Sequence, residues 1–82
     1  MFFVYVIYSD SHNRKYTGMT SDLLKRMDQH NKKQNKSTKA FAPWRLIYSE
    51  SFNSRTEARE REKYFKSRIG REFIQKCIKD SI

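Results

Sequence analysis

Phe2-Phe3-Val4-Tyr5-Val6-Ile7-Tyr8 is an unbroken run of aromatic and β-branched side chains, the composition of a strand buried on both faces. Ser9-Asp10-Ser11-His12-Asn13 follows and is rich in turn formers, and Lys15-Tyr16-Thr17-Gly18-Met19 then alternates long polar with apolar residues. The three segments read as a β-hairpin. A turn centred between Asp10 and Ser11 sets Tyr5 directly opposite Tyr16, so that two phenols stand side by side on one face.

Beyond the hairpin, Thr20 or Ser21 can cap a helix, Asp22 suits its first turn, and Leu23, Leu24 and Met27 form an apolar stripe running toward Lys33. Arg26 and His30 fall beside that stripe by the three-and-four spacing of a helix face. Asn31 to Ala42 is polar, lysine-bearing and aperiodic, and reads as a mobile basic loop. Pro43 opens a third strand, with Trp44, Leu46 and Tyr48 on one face and Arg45, Ile47 and Ser49 on the other. Ser54-Arg55-Thr56-Glu57 is a capping box for a second helix, whose inward stripe of Ala58, Phe65 and Ile69 also carries Glu62. Gly70 reads as the stop of that helix, and Phe73, Ile74, Cys77, Ile78 and Ile82 outline a third. The fold class is α+β in the order β-β-α-β-α-α. It forms one domain over residues 1–82, a small three-stranded antiparallel sheet with packed helices, the first two sharing a side.

With 82 residues, 37% of them hydrophobic, there is material for one core and not for two. Eighteen Lys and Arg against nine Asp and Glu give a net charge of +9, which favours a polyanionic partner but also serves plain solubility. The longest apolar run is far too short to span a membrane and lacks the features of a signal peptide, so a cytoplasmic protein without a membrane partner is expected. Cys77 is the single cysteine, which excludes an internal disulfide, and no Cys and His cluster has zinc-site spacing.

Glu62 asks the sharpest question, because a carboxylate on a buried stripe needs either a cationic partner, such as Arg26 or Arg59, or a bound metal ion. Taken singly, Tyr5 and Tyr16 are ordinary strand residues, and Arg26 and His30 ordinary helix-face polar groups.

Taken in order, these residues resemble the GIY-YIG nuclease domain over essentially the whole chain. Phe3-Val4-Tyr5 stands for the first signature and Tyr16-Thr17-Gly18 for the second, followed by Thr20, Asp22, Leu23, Arg26 and His30. Pro43 to Tyr48 and Ser54, Glu57, Ala58, Glu62, Lys63 and Lys66 resemble the third strand and acidic helix of small stand-alone bacterial members. Of the signature letters only Tyr5, Tyr16 and Gly18 are kept, and Met19 stands where DNA-repair members often carry a lysine. The resemblance implies a metal-dependent endonuclease that hydrolyses nucleic-acid phosphodiester bonds, with DNA the expected substrate. Glu62 would hold Mg2+ or Mn2+, since hard cations take oxygen ligands and need few protein carboxylates. Arg26 would neutralise phosphate charge through its donor fork. A tyrosine, preferably Tyr16, would take a proton from water, while Tyr5 and His30 assist by hydrogen bonding. Gly18 would let the nucleic-acid backbone come close, and Lys32, Lys33, Lys36, Lys39 and Arg45 would follow it. Two alternatives stay open: a non-catalytic nucleic-acid-binding domain of the same fold with Glu62 merely salt-bridged, and a small protein-interaction domain.

Overall fold

The computed structural model describes residues 1–81; Ile82, read above as the end of the third helix, lies outside them. Strands β1 (Phe2–Ser9), β2 (Arg14–Thr20) and β3 (Arg45–Phe52) alternate with helices α1 (Leu23–Asn31), α2 (Arg55–Phe65) and α3 (Arg68–Asp80) in the expected order. The sheet is antiparallel with strand order β2-β1-β3. The central place of β1 is why its sequence is apolar on both faces. Val4, Val6 and Tyr8 point to one core and Tyr5 and Ile7 to another, so the sheet divides between its two faces the apolar residues that composition assigned to a single core.

Those two cores assign the helices. Ala58 and Phe65 of α2 and Ile74 and Ile78 of α3 cover the Val4 and Val6 face, whereas Leu23 and Met27 of α1 pack with Tyr5, Ile7 and Trp44 on the other. The first two helices therefore lie on opposite faces rather than sharing a side. Nine residues of α1 offer too narrow a stripe to join a layer that α2 and α3 already fill. Leu24, expected on that stripe, is exposed. Burial of Phe65 alone contributes about 2–3 kcal/mol. No helix among the described residues is long and apolar enough to cross a membrane.

The hairpin register differs from the expected one. Ser9 pairs with Arg14, so Asp10 to Asn13 form a four-residue loop, Tyr5 faces Gly18, and Tyr16 faces Ile7. Asn13 takes a left-handed conformation at φ 51°, which asparagine tolerates and which closes the loop one residue later than its composition suggests. In β3 the register slips between Val6 and Ile7, pairing them with Tyr48 and Leu46 and leaving Ile47 as the extra residue of a bulge. Ile47 and Tyr48 both lean on the α2 and α3 core while Leu46 is largely exposed. The simple alternation of Trp44, Leu46 and Tyr48 is broken there.

Capping also departs in part. Asp22, not Thr20 or Ser21, caps α1 by accepting from the Lys25 amide at 3.1 Å, while Thr20 Oγ1 accepts from the Asp22 amide. Ser54 caps α2 as its motif requires, accepting from the Glu57 amide at 3.2 Å and donating to the Glu57 carboxylate. That helix ends at Phe65, and Ser67 caps α3 by accepting from the Gly70 amide. Gly70 is thus inside a helix and not at a stop, and Ile69 is exposed on α3 rather than buried on α2. A Cβ on Gly70 would stand 2.0 Å from the Tyr64 carbonyl oxygen. Glycine is what allows the first turn of α3 to fold onto the last turn of α2.

Candidate active site

The hairpin and α1 bring three aromatic rings together on one face of the sheet. Ring centroids are 6.4 Å apart for Tyr5 and Tyr16, 5.8 Å for Tyr5 and His30, and 5.3 Å for Tyr16 and His30. The two phenols meet despite the register change because Tyr5 crosses its own pair partner, Gly18, to reach Tyr16. A Cβ on Gly18 would lie 2.5 Å from Tyr5 Oη. The space the glycine leaves open is filled by the Tyr5 phenol, so the missing side chain accommodates a neighbour within the fold rather than an approaching ligand.

Tyr5 and His30 are fully buried and hydrogen-bonded, Tyr5 Oη to His30 Nε2 at 2.9 Å. The other ring nitrogen, Nδ1, lies 2.7 Å from Thr38 Oγ1, and Thr38 is itself buried. Trp44 Nε1 donates to the Thr38 carbonyl at 2.9 Å, and Asn31 clamps the Trp44 backbone by accepting from its amide and donating to its carbonyl. The segment from Asn31 to Ala42 is therefore not the mobile loop its composition suggests. It is tied down at Thr38 and carries a 3-10 turn at Lys39–Phe41. Sequence reasoning missed Thr38, since one threonine among lysines has no periodicity to mark it as buried.

His30 therefore bridges two buried hydroxyls, and its single ring proton serves one of them: either Thr38 donates to Nδ1 and Nε2 donates to Tyr5, or Tyr5 donates to Nε2 and Nδ1 donates to Thr38. Burial, helped by the positive charge of Arg26, lowers the His30 pKa and keeps the ring neutral. Burial also raises the Tyr5 pKa well above its ordinary value, with the Tyr16 phenol and the Glu62 carboxylate adding to the rise and Arg26 opposing it. Tyr5 keeps its proton at neutral pH.

Two charges act on Tyr5. Arg26 is one turn before His30 on α1 and half-buried. Glu62 comes from α2, on the far face of the sheet, and its charge is nonetheless felt at Tyr5. The Glu62 side chain is 20% exposed and its nearest cation is Lys66 Nζ, 3.4 Å from Oε2, rather than Arg26 or Arg59. Among the described residues no three His, Cys, Asp or Glu side chains gather into a metal-binding group. A single half-buried carboxylate with an accessible oxygen suits Mg2+, a hard cation that keeps most of its waters.

The basic residues divide. Lys32, Lys33, Lys36 and Lys39 are exposed along the segment after α1, with Lys32 paired to Asp28 at 3.0 Å. Arg45 does not join them. Its guanidinium binds Asp10 at 2.7 and 3.1 Å, lies over the Tyr8 ring and contacts Ser81 Oγ. The β3 bulge put it on the α3 face, where it clips the hairpin turn to the end of α3.

Known proteins resemble this chain in sequence and in fold. The family model described as the GIY-YIG catalytic domain matches residues 1–75. A UPF0213 protein of Pediococcus pentosaceus is 39% identical over 82 residues, covering 99% of this chain and 85% of its own length. A UPF0213 protein of Streptococcus agalactiae is 46% identical over 54 residues, 65% of this chain, and the match spans 61% of that relative's length. The solution NMR structure of a UPF0213 protein from Bacillus halodurans superposes with a TM-score of 0.55 at 30% identity, over 93% of this chain and 84% of that one.

Proposed function

This chain belongs to the GIY-YIG catalytic domain family, and from that premise we propose that it is a metal-dependent endonuclease hydrolysing nucleic-acid phosphodiester bonds, DNA first among them. The observation that carries the reading is the convergence of Tyr5, Tyr16 and His30 within 6.4 Å of one another, with Arg26 and Glu62 acting electrostatically on the same phenol. Charges from both helical layers act on one phenol, an arrangement that packing alone does not require.

The roles follow from the surroundings. Tyr5 and His30, buried and hydrogen-bonded to each other, would assist by holding the neighbouring Tyr16 ring in place. Tyr16, less buried than Tyr5, would act through its phenolate oxygen, which takes the proton from the attacking water and becomes the neutral phenol. Arg26 offers a planar fork of donors to the phosphate oxygens, where charge grows as the bond breaks. Glu62 would hold the divalent cation, which supplies Lewis-acid stabilisation of that charge. The exposed lysines of the α1 side would meet neighbouring phosphates, contacts that position the backbone and carry little sequence information.

The test is cleavage of plasmid, single-stranded and branched DNA and of RNA at low salt, with Mg2+, Mn2+ or chelator, by wild type and Glu62→Ala. Metal-dependent products that vanish in the variant, with substrate binding retained, are expected. Equal cutting by the variant refutes the assignment of Glu62. Binding without cutting in any metal moves the chain to a non-catalytic nucleic-acid module.

A further inference from the structure

A groove runs away from the candidate site between β2 and α3. It begins beside Tyr16 as a narrow cleft of about 230 Å³ lined by Lys15, Lys66 and Arg71. Through Lys15 it meets a wider hollow floored by Tyr8 and Ile78, which opens to about 610 Å³ between Lys76 and Lys79. Every ionisable group lining it, apart from tyrosine phenols, is a cation, whereas the groove under α2 mixes Glu57 and Glu60 with Arg61. Lys15, Arg71, Lys76 and Lys79 take part in no salt bridge among the described residues. Lys66 stands at the near end, 3.4 Å from Glu62. Helix geometry lays out the rest, since Arg71, Gln75 and Lys79 recur every fourth residue along one flank of α3. From Arg71 to Lys79 that flank spans about 12 Å, room for at most about three or four nucleotides at about 3.4 Å each.

We infer that this groove is a backbone track for the nucleic-acid strand leaving the candidate site, with Lys15 on one wall and Arg71, Lys76 and Lys79 on the other. The inference rests on the proposed nuclease reading for its starting point, because it is the scissile phosphate at Tyr16 that would feed the strand into the narrow end. Its occupant is a single strand. A cleft between one strand and one helix, in a domain whose smallest dimension is 19 Å, admits one backbone and not a duplex. Tracks of this kind follow the backbone through a positively charged groove and bind without base readout. The lysines of the α1 side lie on the opposite sheet face, so the two basic surfaces contact different parts of the substrate.

The test is equilibrium binding of a labelled single-stranded DNA of about 20 nucleotides, in chelator and over a range of salt, by wild type, Lys76→Gln/Lys79→Gln and Lys15→Gln. The exposed helical double variant is expected to lose about tenfold or more in affinity at low salt, and its salt slope to fall by about 1.4, or about 0.7 per lost phosphate contact. Lys15→Gln, across the groove on β2, is expected to lower the slope by about half as much. Unchanged affinity and slope for this strand, or no binding by wild type, overturns the track. Because binding is read in chelator, loss of binding in the variants without cleavage by wild type in any metal sinks the nuclease reading and leaves the track standing. Cleavage by wild type with variants that bind normally does the reverse.

Discussion

Replacing Thr38 by valine removes one of the two buried hydrogen bonds that fix the His30 ring. Valine matches threonine in shape, so no cavity opens, and what is lost is the hydrogen-bond partner of His30 Nδ1 at 2.7 Å. That nitrogen belongs to a fully buried ring, and leaving it unpartnered costs about 1–3 kcal/mol. Taking 2 kcal/mol, the midpoint of thermal unfolding of a domain this size falls by about 8–16 °C. Thr38→Ser keeps the hydroxyl and gives up a methyl group, which costs about 1 kcal/mol. Urea and thermal unfolding give the stabilities, and nitrogen-15 NMR of the imidazole gives the tautomer directly. Wild type and Thr38→Ser are expected to share one tautomer, fixed by the hydroxyl at position 38, and Thr38→Val to lose that preference. A valine variant within about 0.5 kcal/mol of wild type, or one with an unchanged imidazole spectrum, refutes the reasoning that Thr38 holds the buried ring.

Gly18→Ala should be destabilising by about 1–3 kcal/mol, because its Cβ would fall 2.5 Å from Tyr5 Oη and 2.6 Å from Cζ and must push the phenol off His30; a denaturation curve that overlays wild type would show that Tyr5 yields freely. The His30 pKa is lowered in the folded state, so the unfolded chain binds the proton more readily. Its contribution to stability is whole above about pH 6.5 and declines as pH falls from there toward the folded pKa. Urea midpoints should drop from pH 7.5 toward pH 5.5 while NMR shows His30 titrating below 6.5, and a His30 titration at or above that value contradicts the burial argument.

What could be read in the chain alone was whatever depends on short-range spacing. The both-faces-buried β1, the Ser54 and Glu57 capping box and the order of elements each follow from neighbours a few residues apart. The resemblance to the GIY-YIG domain drew on the same local signatures, and the family match over residues 1–75 agrees with it. Tertiary structure decided everything that depends on where one element meets another. Asn13 closed the hairpin one residue late and so moved every β1 and β2 pair. The Ile47 bulge carried Arg45 to the face opposite the lysines. Gly70, a helix stop by composition, became the contact point of two helices, and α1 took the face that α2 and α3 left free. Thr38 is the clearest case. Its hydroxyl matters because burial removes the water that would otherwise satisfy His30, and burial is set by Trp44 and Asn31 at a distance along the chain that no local pattern records.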